Sequence, residues 1–129
     1  MRLDFSISSI ETFLYALLKP AVSSNVFPST LPDVIQDEWT EMVLFDCSLP
    51  MIDFEAYASG TFYIYLYARP LSNGTKNVAK MKSLEEKLIN AIENSTDDKY
   101  RISVYSTNAG YDEDALMHVN QYELILNVY

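Results

Sequence analysis

Three carboxylates and an imidazole crowd into one short stretch, Tyr111-Asp112-Glu113-Asp114 followed by His118. Such groups can hold a divalent cation or move protons. Their spacing fits no defined metal motif, and runs of acids are usually solvated surface. The expectation is an acidic loop between strands, with Tyr111, Asp112, Glu113 and Asp114 as a docking loop and His118 capped or partly buried. A metal-dependent hydrolase at Asp112, Asp114 and His118 is the outlying alternative. A Cys/His nucleophilic pair would need Cys47 to meet His118 through the fold. No orienting Asn or Asp is identifiable, and no nucleophile-elbow sequence flanks Cys47. Its place on a strand face with Val43 and Phe45 points to a buried, inert thiol. No catalytic residue and no cofactor is expected.

The stripe Tyr63, Tyr65 and Tyr67 has three readings. It is a second packed face covered by the chain's own N-terminal segment. It is a protein–protein interface, where tyrosine is enriched. Or it is a platform for stacking bases, which its acidic surroundings disfavour.

These residues must be positioned by a small set of elements. Ile7, Ile10, Phe13, Leu14, Leu17 and Leu18 recur at helical spacing, and Ser8 with Glu11 has capping-box spacing. Pro20 ends that helix, so its predicted span is 8–19. Residues 20–40 carry three prolines and read as an extended connection with a turn of helix near 33–37. Strands are expected at 42–48, at 52–59 by strict alternation, and at 61–69. In the last of these Phe62, Ile64, Leu66 and Ala68 oppose the three tyrosines. A second helix is expected over 75–94, with Val78, Met81, Leu84 or Glu85, Leu88, Ala91 and Ile92 as its stripe. A strand at 100–106, a turn at Asn108-Ala109-Gly110 and a last strand at 119–129 complete the chain.

The order α-β-β-β-α-β-β places the chain in the α+β class, as a single domain over 1–129. It should be a mixed, mostly antiparallel sheet of four to six strands with two main helices packed on one face. The core should include Leu14, Leu17, Phe62, Ile64, Leu66, Leu88, Ile92, Ile102, Val104, Leu124 and Leu126.

Composition narrows the function. Of 129 residues 49% are apolar, enough for one core without disulfide or metal staples. One cysteine and one histidine exclude multi-cysteine and histidine-rich metal sites. The single thiol fits a reducing compartment. A net charge of −9, with no basic patch, argues against tight binding to nucleic acid or anionic membranes. It suits a soluble protein, or a wall that nucleic acid slides past. No apolar run is long enough to span a bilayer, and the start MRLDFSISSIETF lacks the unbroken apolar stretch of a signal peptide, so a cytoplasmic protein is expected.

The layout as a whole resembles the tail-terminator and tail-completion proteins of long-tailed bacteriophages. The likeness lies in an order of features. An amphipathic helix from Ile7 to Leu18 is followed by the extended segment Val26-Phe27-Pro28 to Pro32. A strand meander containing Gly60-Thr61-Phe62-Tyr63-Ile64-Tyr65-Leu66-Tyr67 comes next. The helix Ser83 to Ile92 and the strand Tyr122 to Val128 close the order. The resemblance implies a non-catalytic ring of six copies that caps the tail tube and joins it to the head connector. Its partners would be itself, the tail-tube protein and the connector. It would reside in the virion tail, and in the bacterial cytoplasm before assembly. A long flexible docking loop cannot be placed, and 106–118 is the nearest candidate. A small soluble ligand-binding or regulatory domain, with a pocket between helix and sheet, is the competing reading.

Overall fold

Residues 5–47 and 50–129 are described by the structure, a computed structural model. Helix α1 covers Ile7–Leu18. Its N-cap is Ser6, whose Oγ accepts from the Ser9 amide at 3.3 Å. The expected Ser8/Glu11 box does not form, because Glu11 instead accepts from the Ser29 hydroxyl at 3.3 Å and ties α1 to the following segment. Lys19 turns extended before Pro20, which ends the helix as predicted.

The prolyl segment contains a strand that its sequence hides. β1, Val26–Pro28, runs parallel to β2, Glu41–Asp46, with Val26 opposite Val43. Three residues are too few to show a period, and Pro28 is tolerated there because β1 is an edge. The expected turn of helix at 33–37 is absent; Asp33 and Val34 form a bend, and Asp37 and Glu38 a turn. Strand β2 ends at Asp46, and the last residue of its expected span, Ser48, lies outside the described residues.

The expected strand at 52–59 is a correction. β3 is Ile52–Asp53 alone, and β4 runs from Ala58 to Ala68. Between them the Asp53 carboxylate accepts from the Glu55 amide at 2.8 Å, and Glu55 takes φ 70°. That side-chain turn breaks an alternation which otherwise reads as a strand. Ile52 and Phe54 are exposed as a result. Gly60 sits where Met51 crosses: a Cβ there would lie 2.5 Å from the Met51 sulfur and 3.0 Å from the Pro50 carbonyl.

Helix α2 is Val78–Glu93, starting later than predicted. Asn73 accepts from the Thr75 amide and hydroxyl, Gly74 takes φ 86°, and Asn77 caps the helix by accepting from the Lys80 amide at 3.0 Å. Val78, in the first turn, is exposed rather than part of the stripe. Met81, Leu84 and Leu88 carry the buried face.

β5, Tyr100–Asp112, and β6, Met117–Val128, form one long hairpin. The expected turn at Asn108-Ala109-Gly110 lies inside β5, paired with Gln121, Asn120 and Val119. The 106–118 region is thus a strand pair with a tight tip, not a flexible loop. At the tip the Asp112 Oδ1 accepts from the amides of Asp114 and Ala115, and Leu116 takes φ 54°.

The result is an α+β fold: a six-stranded, mostly antiparallel sheet in the order β1-β2-β4-β6-β5, with β3 paired to β4. Both helices pack on one face. Ile10, Leu14, Leu18, Met81, Leu84 and Leu88 meet Phe62, Ile64, Leu66, Leu124 and Leu126 there. Leu17, Ile92 and Ile102 are partly buried against that core. Val104 is 47% exposed, because β5 runs on beyond the layer of helices.

Candidate interaction surface

Pairing registers sort the side chains of the second face into rows, since residues opposite one another share a face. One row runs Ser106, Glu123, Tyr63, Asp46; the next Asn108, Gln121, Tyr65, Leu44; the third Gly110, Val119, Tyr67, Met42. The three tyrosines therefore stand side by side along β4, as the alternation predicts.

Their surroundings differ. Tyr67 is 5% exposed, packed with Met42, Ala115 and Met117. Of the three readings of the stripe, cover by the chain's own N-terminal segment is the one that holds at its Tyr67 end, which corrects Tyr67 as an interface residue. Phe27, Leu31, Ile35 and Trp39 fold over that end, and the Arg69 guanidinium pins them by donating to the carbonyls of Trp39 at 2.5 Å and Gln36 at 3.0 Å. Burial pushes the Tyr67 phenol well above its ordinary range, helped by the charge of Asp112 and the hydrogen bond to it. Tyr65 is half-buried and raised by burial and by Asp46. Tyr63 is open on one side, and its hydroxyl donates to Glu123 at 3.1 Å. That hydrogen bond is the main cause raising its pKa. Glu123 also accepts from Ser106 at 3.2 Å, so one carboxylate joins β4, β6 and β5.

The structure brings the two candidate groups together. A groove of about 410 Å³ lies between Tyr65 and Tyr67 on one side and Asn108, Gly110, Tyr111 and Asp112 on the other, floored by Val119 and Gln121. Gly110 leaves the space that a side chain would fill in its row. Asn108 and Gly110 were not legible as site residues, because the apparent turn at 108–110 hid the strand that carries them; Gln121 and Glu123 lie on the expected last strand, and only its register with β4 and β5 brings them beside the tyrosines.

The candidate catalytic groups do not converge. His118 lies opposite Ala68 and Tyr111, one residue out of step with Asp112, and so faces the helix side while Asp112 faces the tyrosines. Its ring meets Tyr111 edge-on at 4.9 Å, and its Nδ1 is buried without a hydrogen-bond partner among the described residues. Cys47 follows Asp46, which pairs with Tyr63, whereas His118 pairs with Ala68. About five residues of strand separate those levels, roughly 17 Å. Burial, with the nearby Glu11 and Asp46 carboxylates, pushes the Cys47 thiol up to about 12. Among the described residues no group of three His, Cys, Asp or Glu side chains is placed to hold a metal ion.

The space between α1 and the sheet, bounded by Ile10, Cys47, Phe62 and Leu126, is about 10 Å³, too small for a ligand. A shallow cleft of about 350 Å³ lies at the end of α2, between Ile92, Asp97 and Ile102. Among the described residues no helix is long and apolar enough to cross a membrane. Comparison with known protein families and with curated proteins finds no match for this chain.

Proposed function

We propose that this protein is a structural assembly protein of a phage or prophage tail. In this reading six copies form a ring that caps the tail tube and joins it to the head connector, without catalysis. The observation that carries the reading is the second face of the sheet. Its Tyr67 end is sealed by the chain itself and Tyr65 packs against that cluster while half-buried, whereas Tyr63 is outside it and Gln121 and Asn108 line the adjoining groove. Half-buried phenols beside amides can stay hydrated in a free subunit and bury their rings against a neighbour. The α+β layout with both helices on one face agrees with the resemblance to tail terminators. A net charge of −9 suits a lumen through which DNA passes without sticking.

The test is to mix the purified chain with tail-tube subunits of the same phage or prophage and follow tube growth by negative-stain microscopy. Rings at tube ends and arrested elongation are expected. Tubes that elongate unchanged and bear no rings, with the chain in excess, overturn the reading. A small ligand-binding domain is the second reading, favoured by the groove beside Tyr65 and the cleft at the end of α2. It predicts a chain that forms no rings on tail tubes and gains thermal stability from a small molecule.

A further inference from the structure

We infer that the outer edge of β5 is a seam on which two copies of this chain pair antiparallel, extending one sheet into the other about a two-fold axis. The inference does not depend on a role in a tail.

The two outer strands of the sheet differ in kind. β1 is three residues long and ends in Pro28, which has no N–H, followed by Ser29 at φ 66°. That edge is blunt. β5 is thirteen residues long and ends the strand order on the other side. Residues 103–111 are exposed throughout. An edge strand presents a row of unpaired backbone groups, which proteins usually defend with lysine, proline or charge. Between Arg101 and Asp112 this strand has none of these: it reads Ile-Ser-Val-Tyr-Ser-Thr-Asn-Ala-Gly-Tyr. Its β-branched and aromatic residues favour extended pairing. One bulge, between Val104 and Ser106, bends the edge and leaves 106–112 regular.

The charges at its ends select the occupant and the direction. The strand carries Arg101 at its start and Asp112 at its end, with Glu113 and Asp114 at the tip. With Asp97, Asp98 and Lys99 before it, the Arg101 end carries no net charge, whereas the tip carries three acids. A second copy running antiparallel sets each Arg101 end beside the other copy's acidic tip. A parallel copy would set the two acidic tips against each other. Thr107, midway between Arg101 and Glu113, then lies at or beside the axis. Such a surface is self-complementary and closes as a dimer. Because β1 is blunt, the joined sheet has, among the described residues, no second long edge from which to grow into fibres.

The test uses the full chain in sedimentation velocity over a low-micromolar to several-hundred-micromolar series, with hydrogen exchange on the same samples. A monomer–dimer equilibrium is expected, with alternate amides in 103–111 slowing as concentration rises. Ser106→Lys with Asn108→Lys should abolish the dimer with circular dichroism unchanged. Arg101→Glu and Glu113→Arg should each weaken it about tenfold, since two ion pairs become repulsions. Arg101 also lies 6.0 Å from the Tyr129 ring, so the double reversal is the control for that contact. It should restore affinity to within about threefold of the wild type. A chain that stays monomeric with exchange independent of concentration overturns the seam. So does a dimer indifferent to the two lysines. A double reversal no tighter than either single one overturns the antiparallel arrangement.

Discussion

The Cys47 thiol is 5% exposed, and the carboxylates of Glu11 and Asp46 act on it together with burial. All three favour the neutral form, so the folded thiol ionises near 12 while the unfolded one ionises near its ordinary 9.0. Above about pH 9 the unfolded chain has therefore lost a proton that the folded chain keeps, and stability must fall as pH rises toward about 12. The raised Tyr67 phenol acts in the same direction once the unfolded phenol begins to ionise near 10.0. We expect the urea midpoint to fall steadily from about pH 9 upward, and Cys47→Ala to flatten the first part of that fall. An unchanged slope in Cys47→Ala would assign the effect elsewhere. The burial of the thiol was readable in the sequence because Val43, Phe45 and Cys47 alternate on one face. The part played by Asp112 was not: its carboxylate caps the hairpin tip and bonds the Tyr67 hydroxyl, contacts that no local spacing announces.

Helix α2 shows how far periodicity carries and where it stops. Met81, Leu84 and Leu88 repeat with the helix and are buried, as their spacing requires. Val78 was counted in the same stripe but stands 65% exposed in the first turn of the helix. Periodicity gives the direction a side chain points, not whether anything is there to meet it. Leu88→Ala should cost about 2–5 kcal/mol, whereas Val78→Ala should stay within about 0.5 kcal/mol of the wild type. Urea unfolding of the two variants decides between burial and stripe membership as the controlling quantity. The same limit explains the strands. β4 was legible from its two-residue alternation, and so was most of β6. β3 failed because an Asp53 turn mimics alternation, and β5 was cut short because Asn-Ala-Gly is turn-like chemistry that long-range pairing with β6 overrides.

Across the whole molecule, the two faces of one sheet have been finished differently. The helix face is closed by α1 and α2, leaving almost no void behind Phe62. On the other face the chain spends the segment 27–39 on the Tyr67 end, and among the described residues no comparable segment packs on the Tyr63 end. That asymmetry divides the three tyrosines by role, although in sequence they are equivalent. Tyr67 fills a packed site with Met42, Ala115 and Met117, so Tyr67→Ser opens a cavity and should cost about 3 kcal/mol. Tyr63 and Tyr65 lose less on truncation, because water or the Glu123 network can take up what they leave; Tyr63→Ser with Tyr65→Ser should cost about 1–2 kcal/mol together. If the open end is the surface a neighbour covers, that double variant folds with little change in circular dichroism yet no longer assembles on tail tubes. Tyr67→Ser should behave oppositely, assembling in proportion to the fraction that is folded. Equal losses of stability in the two variants would mean that the whole tyrosine face is packing, and the assembly surface would then have to lie elsewhere on the sheet.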